Sequence, residues 1–296
     1  MEPYNIPNTF HLQVGFADNT MNPVKFWSDT VAAMAELAHG PFEGKTRGYT
    51  GKGDISIVVI PEGSQRPPLR VKHIIWAIQV IAENAFEYND YRWVRGTLRI
   101  DVNGARVVIG RIEFSDQTSR GPIPPLAMSE MNATKTLNAR NPTGYEAHSH
   151  DIALTTDTIS TQGLAADALQ IDPYFTTRAT KLPAPNIFLT LLKFLARIAE
   201  PDSALRIKEF KYRSYEITQC AVYYESKEDQ RLTVTYGDVI EGVKRIAEMM
   251  MREKRFAEAA AQFFKRVKGE QVRYGYIHVF KFVLPPTEQG GGVTTF

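Results

Sequence analysis

The fold of this chain is decided by residues 69–114, LRVKHIIWAIQVIAENAFEYNDYRWVRGTLRIDVNGARVVIGRIEF, because the chain contains this stretch twice. A shift of 165 positions places Ile81-Ala82-Glu83 on Ile246-Ala247-Glu248, and no gap is needed between the two copies. The chain is therefore expected to fold as two similar halves. The matched positions further along are Gly104 with Gly269, Val107 with Val272, Gly110 with Gly275 and Ile112 with Ile277.

Each copy predicts an amphipathic helix followed by a β-hairpin. The apolar side chains of residues 71–88, such as Ile74, Ile78 and Ile81, recur with the helical period. Two strands follow, and Asn103-Gly104 between them favours a tight turn, since a type I′ turn needs positive φ at both central residues. The second copy predicts the equivalent helix from Tyr236 to about Met251 and a final strand from Val272 to Val283.

One segment of the second copy sets local propensity against the repeat. Residues 256–267, FAEAAAQFFKRV, are rich in alanine and favour a helix when taken alone. Their counterpart in the first copy, residues 91–102, has the pattern of a strand. Because tertiary context overrides local propensity in sheets, we predict a strand over residues 260–267.

A second helix precedes each copy. Asn22-Pro23 and Pro185-Asn186 open the two helices, and Leu37-Ala38 corresponds to Ile198-Ala199 at an offset of 161. Alternating residues predict strands over 10–16, 54–60 and 211–225. The fold class is α+β: two tandem helix-strand-helix-strand-strand units, with an extra strand before the first helix of lobe one. The lobes are related by pseudo-twofold symmetry, either packed about the axis or joined edge to edge.

The predicted domains are a first α+β lobe over 1–120, a connector over 121–184 and a second α+β lobe over 185–296. The connector is rich in Pro, Thr, Ser and Asn, and its hydrophobic periodicity is poor. We predict one short helix within it, near residues 164–169.

The composition is that of a folded intracellular protein. Of the 296 residues 43% are hydrophobic and 23% charged, and the net charge is only +2. Cys220 is the single cysteine, so no intramolecular disulfide forms, which favours a reducing, cytoplasmic location. Its apolar surroundings predict a buried thiol rather than a nucleophile. No secretory signal is expected, and residues 187–199, the most apolar window, are too short and too charged to cross a membrane.

The cluster with the most metal-like composition is Glu146-Ala147-His148-Ser149-His150-Asp151. Two histidines at i and i+2 lie on one side of an extended segment, which suits chelation. His148, His150 and Asp151 are therefore candidate metal ligands, and a metal-dependent enzyme at this point is one hypothesis. The alternative is a solvated polar loop.

The second lobe interleaves aromatic and basic residues, and residues 181–296 carry 19 Lys+Arg against 14 Asp+Glu. Such a sheet binds single-stranded nucleic acid when bases stack on exposed rings and phosphates meet cations. The alternative is that aromatics tile both faces of a sheet and cations protect its edges. The candidate binding residues are Lys211, Tyr212, Arg213, Arg273, Tyr274 and Tyr276.

The residue pattern of the helix over 73–82 and the VxxGxI motif at residues 107–112 and 272–277 resemble those of a class of two-lobed filamentous-fungal proteins. That class has no assigned activity, so the resemblance implies a two-lobed fold and transfers no functional residue.

The motifs of common enzyme classes are missing. The sequence has no GxxxxGK[ST] phosphate loop and no GxSxG nucleophile elbow, and residues 48–53, GYTGKG, precede a strand rather than a helix. We therefore expect a non-enzymatic structural or interaction protein, without a cofactor, that associates with copies of itself as a homo-oligomer. The nucleic-acid-binding module and the metal-dependent enzyme are the alternatives.

Overall fold

The computed structural model describes residues 6–62, 67–116, 128–131, 169–214, 220–226, 234–267 and 270–281. Within these ranges the first half contains two helices, α1 and α2, and six strands. Their bounds in chain order are β1 Phe10–Thr20, α1 Pro23–Ala38, β2 Tyr49–Thr50, β3 Ile55–Pro61, α2 Val71–Tyr88, β4 Arg92–Val102, β5 Ala105–Asp116 and β6 Met128–Met131.

The described part of the second half also contains two helices, α3 and α4, with five strands. Their bounds are β7 Gln170–Phe175, α3 Ala184–Ile198, β8 Glu209–Ser214, β9 Cys220–Ser226, α4 Tyr236–Arg252, β10 Ala259–Val267 and β11 Glu270–Lys281. The fold class is therefore α+β, as the sequence predicts. The alanine-rich segment of residues 256–267 forms strand β10, so the strand prediction over residues 260–267 is confirmed.

The repeat extends to backbone detail. Helices α2 and α4 begin 165 residues apart, and Asn89 and Lys254, also 165 apart, both take positive φ just after the helix. Each hairpin contains a β-bulge at the same place, since Ile109 and Tyr274 are the extra buried residues in β5 and β11. A bulge bends the strand and re-aims its side chains, and therefore both sheets curve at the same point.

The two sheets have the same strand order. The first runs β2-β3-β5-β4-β1-β6 and the second β7-β10-β11-β9-β8, with antiparallel pairing throughout the described residues. Strands β2, β3, β5, β4 and β1 thus correspond to β8, β9, β11, β10 and β7. The sheets are separate, so the lobes do not join edge to edge.

Three details differ from the sequence prediction. The strand before the first helix is present in both lobes, because β7 pairs with β10 as β1 pairs with β4. Residues 211–225 are not one strand: β8 and β9 pair with each other as a hairpin. Strands β6 and β7 lie inside the range predicted as a connector, so its ends belong to the two sheets. The short helix expected near residues 164–169 falls almost entirely outside the described residues.

The helices of the two lobes pack against each other between the sheets. Helix α1 contacts both α3 and α4, and α2 contacts α3, so the α1–α4 and α3–α2 contacts are exchanged by the pseudo-twofold axis. Helix α3 is enclosed, with ten of its fifteen residues buried. Buried residues of both lobes form one hydrophobic cluster, so the lobes share a core. In the described part of the chain no helix is long and apolar enough to span a bilayer.

Candidate functional site

The proposed metal ligands His148, His150 and Asp151 lie outside the described residues, together with the whole segment 132–168. Among the residues that the structure describes, no group of three or more His, Cys, Asp or Glu side chains is placed to hold a metal ion. The metal hypothesis therefore stays a prediction for the undescribed segment.

The five predicted binding residues whose side chains the structure describes do not all face the same side of the sheet. Lys211, Tyr212 and Arg213 lie on β8, and Arg273, Tyr274 and Tyr276 lie on β11. Tyr274 is the buried bulge residue and Tyr212 packs against the core, so neither ring is available for stacking. Lys211 is exposed and forms an ion pair with Glu209. On β11, Tyr276 has a half-buried ring that faces away from the core.

A set of rings that includes Tyr276 covers the outer side of the second sheet. We call this set the aromatic face; it consists of Tyr223 on β9 and Tyr276, His278 and Phe280 on β11. Tyr223 meets the other three rings edge-on, with centroid distances of 5.5–5.6 Å. His278 stacks on Phe280 at 5.2 Å. All four side chains are half-buried, although the core lies on the other side of the sheet.

Small side chains explain why these rings are half-buried. Ala260 on β10 pairs with His278, and Ala221 on β9 pairs with Phe280, in the strand register. Both alanines are nearly inaccessible to solvent, at 3% and 1% exposure, because the rings lie over them. The face continues to Tyr174 on the edge strand β7, which pairs with Ala260 and is exposed. Ala260, one alanine of the run that favours a helix by propensity, therefore forms part of the floor of the aromatic face, whereas Ala259 and Ala261 face the core.

Burial and hydrogen bonds shift the pKa values of the polar groups on the aromatic face. Tyr276 donates a hydrogen bond of 2.9 Å to Glu225, and Tyr223 lies 3.5 Å from the Tyr276 hydroxyl. The contact with Tyr223, together with burial and Glu225, raises the pKa of Tyr276 above its ordinary value. Burial lowers the pKa of His278, whose Nε2 is inaccessible and has no hydrogen-bond partner among the described residues. At neutral pH the face therefore carries neutral rings.

The equivalent face of the first sheet has a different chemistry. The repeat places Arg111 at the position of Tyr276, Glu113 at that of His278 and Ser115 at that of Phe280. Arg111 forms an ion pair with Glu62, and Arg95 pairs with Glu113 at 3.5 Å. One fold thus presents a charged outer face in the first lobe and an aromatic one in the second, so the fold itself does not require the aromatic residues.

A second candidate is a groove of about 450 Å³ between α1 and α4, which we call the interlobe groove. The loop that carries β2 closes one side of it, and small residues of α1 and of this loop line its wall: Ala32, Ala33, Gly51 and Gly53. An adjoining cavity of about 270 Å³ continues along α1 towards Met251. The ionisable residues around the groove are Asp29, Glu36, His39, Tyr49, Lys52, Glu241, Lys244 and Glu248.

Several of these groups are already held in place. Asp29 accepts a hydrogen bond of 2.8 Å from the Ile55 backbone N–H, and burial raises the pKa of this carboxyl. The Tyr49 hydroxyl donates to Glu36 at 3.1 Å, and burial, reinforced by the Glu36 charge, raises the pKa of Tyr49. The sequence did not point to this groove, because its residues come from α1, α4 and a loop that only the tertiary packing brings together.

Comparison with known proteins identifies no family. No protein-family model matches the chain, and no curated protein matches it. Two solved structures align over most of their length at 8% identity. One is an acyl-CoA hydrolase from Agrobacterium tumefaciens (92% of this chain, 94% of that chain, TM-score 0.11). The other is a conserved protein of unknown function with a hot dog fold from Alicyclobacillus acidocaldarius (96% and 82%, TM-score 0.10). These scores are too low to indicate a shared fold.

Proposed function

We propose that this chain is a non-enzymatic interaction protein that self-associates through the aromatic face of its second sheet. The observation that carries the proposal is the difference between the two outer faces. The same strand positions hold Arg111, Glu113 and Ser115 in the first lobe and Tyr276, His278 and Phe280 in the second. Since the fold is built with either set, the aromatic set supports a role in binding.

The chemistry of the face favours a second copy of this chain over a nucleic acid. Lys211, which pairs with Tyr223 in the strand register, forms an ion pair with Glu209, while Glu225 and Asp172 add carboxylates at the border of the face. A polyanion requires a surplus of cations. Among the described side chains here, Lys211 and Arg273 stand against the carboxylates of Glu209, Glu225 and Asp172, so they give no such surplus. Rings that prefer edge-on contacts complement an identical set of rings across a twofold axis.

The size of the face sets the expected affinity. Four strands, from β9 to β7, span roughly 14 Å, and Tyr276 to Phe280 spans about 14 Å along β11. With the rims of the rings included, two copies would bury roughly 800 Å² in total, which is small for a specific interface. We therefore expect a reversible dimer with a Kd in the micromolar range. The single buried cysteine is compatible with a cytoplasmic setting.

The test transfers the residues of the first sheet onto the second. The variant Tyr276→Arg/His278→Glu/Phe280→Ser carries the side chains that the same fold accepts in lobe one, so we expect it to fold. Sedimentation velocity between about 5 and 500 µM should show a concentration-dependent dimer for the wild type and a monomer for the variant. Glu113→Gln, on the outer face of the first sheet, is the control and should dimerise normally.

Two outcomes would count against this function. A wild-type chain that stays monomeric throughout that concentration range would exclude self-association through any surface. Binding of a single-stranded oligonucleotide that weakens linearly in log affinity with log salt, and that the triple variant loses, would favour the nucleic-acid alternative instead.

A further inference from the structure

The two grooves between helices of opposite lobes are related by the pseudo-twofold axis, but different residues occupy them. The interlobe groove lies between α1 and α4, and its counterpart lies between α3 and α2. The equivalence holds at the level of contacts. In the first lobe, Asp29 on α1 accepts a hydrogen bond from Ile55 on β3. In the second lobe the corresponding residues are Thr190 on α3, 161 positions later, and Cys220 on β9, 165 positions later, and these two also form a hydrogen bond.

The counterpart groove is filled by a lysine side chain. The Nζ atom of Lys193 on α3 lies 2.8 Å from a carboxylate oxygen of Glu83 on α2, and the two side chains are only 12% and 21% exposed. The side-chain amide of Gln79 donates to the same Glu83 oxygen at 3.0 Å. An unbranched four-carbon chain ending in an ammonium group therefore occupies this position in the closed copy.

The open groove keeps the carboxylate but has no lysine at the position of Lys193. The position of Lys193 is held by Ala32, and the position of Glu83 is held by Glu248, which is 57% exposed. Lys244, in the place of Gln79, approaches Glu248 only to 3.8 Å. The space that the lysine side chain fills in one copy is thus left open in the other, beside an equivalent carboxylate.

We propose that the interlobe groove binds an aliphatic amine, with its ammonium group on the Glu248 carboxylate and its carbon chain against Ala32. The ligand thereby takes the place that Lys193 takes in the other copy. A hydrogen bond between an ammonium group and a carboxylate is among the stronger polar contacts in proteins. This binding is independent of the self-association proposed above, because the groove and the aromatic face lie on different elements.

The remaining charges of the groove favour a ligand with more than one amine. Asp29 and Glu36 are seven residues apart on α1, and Glu241 and Glu248 are seven apart on α4, which is about 10 Å along each helix axis. Glu241 is paired with Arg245 at 2.9 Å, and Glu36 accepts a hydrogen bond from Tyr49. Among the described residues Glu248 has only the longer contact of 3.8 Å with Lys244, and Asp29 accepts from the backbone N–H of Ile55. A linear diamine or polyamine fits a groove with carboxylates spaced along its length.

The test uses n-butylammonium, which matches the Lys193 side chain, with 1,4-diaminobutane and the uncharged n-butanol, by calorimetric titration at constant ionic strength. We expect one site per chain, tighter binding of the diamine and none of the alcohol. Ala32→Lys supplies the ammonium from within the chain and should abolish binding while raising the Tm. Glu248→Gln should weaken binding by about tenfold or more. Glu253→Gln, at the end of α4 and outside the groove, should change nothing.

A reciprocal variant distinguishes this site from general attraction of cations. Lys193→Ala empties the counterpart groove, so the stoichiometry should rise from one to two and n-butylammonium should restore part of the lost Tm. The proposal is overturned if the wild type binds the amines no better than tetramethylammonium. It is equally overturned if Ala32→Lys and Glu248→Gln bind them as the wild type does, which is decisive even if Lys193→Ala fails to fold.

Discussion

Replacing Lys193 by methionine tests how the two lobes are held together. The substitution keeps an unbranched chain of similar volume in the α2–α3 contact and removes only the ammonium group. Glu83 then remains a largely enclosed carboxylate, 21% exposed, whose described partner is the Gln79 amide at 3.0 Å. We expect Lys193→Met to destabilise the protein, because the desolvated carboxylate loses its counter-ion.

The magnitude follows from the burial of the pair. Exposed ion pairs contribute about 0–1 kcal/mol, whereas removing one partner of a fully buried pair costs about 3–5 kcal/mol. Lys193 and Glu83, at 12% and 21% exposure and 2.8 Å apart, lie between these limits but nearer the buried one. We therefore expect Lys193→Met to lower the free energy of unfolding by about 2–3 kcal/mol.

The assay is urea unfolding at pH 7, followed by far-UV circular dichroism, of Lys193→Met, Glu83→Gln and the double variant. The coupling free energy between the two sites should be about 1–2 kcal/mol, because the double variant leaves no uncompensated charge. Lys244→Met is the matched control: its 3.8 Å contacts with Glu241 and Glu248 are more exposed, so we expect a change within about 0.5 kcal/mol. Equal effects of Lys193→Met and Lys244→Met would refute the argument.

Three further predictions concern single sites. Burial lowers the pKa of His73 to about 4 in the folded protein. As the pH falls, the unfolded chain therefore binds a proton at this residue before the folded chain does. Its contribution, about 2–3 kcal/mol, is complete above pH 6.5 and lost as the pH falls towards 4, and urea titrations of His73→Gln should lack this part of the pH dependence. Gly275→Ala places a Cβ 2.8 Å from the Tyr224 hydroxyl and 2.9 Å from a backbone oxygen, so it should cost about 1–3 kcal/mol in urea unfolding. Gly104→Ala is strained only by its φ of +80° and should cost about 1 kcal/mol. A loss of stability for Gly104→Ala that equals or exceeds that for Gly275→Ala would contradict the steric argument. Cys220 is inaccessible and burial raises the pKa of its thiol to about 12, so Ellman's reagent should label it only in urea; rapid labelling of the native protein would show that β9 opens.

The repeat is the part of the fold that sequence reasoning predicted most reliably. Turn glycines and apolar positions recur because each is required by local geometry or by one buried face. For β10 this constraint outweighed propensity: Ala260 faces outward beneath His278, and Phe263 fills the core, so a helix-favouring run is held as a strand by its neighbours. The sequence does not predict the division of residues 211–225 into β8 and β9, because the alternating pattern runs through the whole segment.

The candidate sites were predicted less well, for a physical reason. Strict alternation along β11 predicts Tyr274 and Tyr276 on one face, but the bulge at Tyr274 turns that ring into the core. Tyr276 is among the predicted binding residues, and Tyr223, His278 and Phe280 lie beside it only through the pairing of β9 with β11. The roles of His148, His150 and Asp151 remain predictions.

The sequence by itself determined the duplication, the α+β class and the buried cysteine, because these depend on periodicity and on positions matched along one chain. Only the tertiary structure decided that the helices of the two lobes meet between the sheets. It also showed that Lys193 closes one interhelical groove while Ala32 leaves its counterpart open. Aligning the repeats in sequence matches each helix with its own copy. It does not show that α1 packs against α4, because nothing in the sequence separation of these two helices indicates their contact.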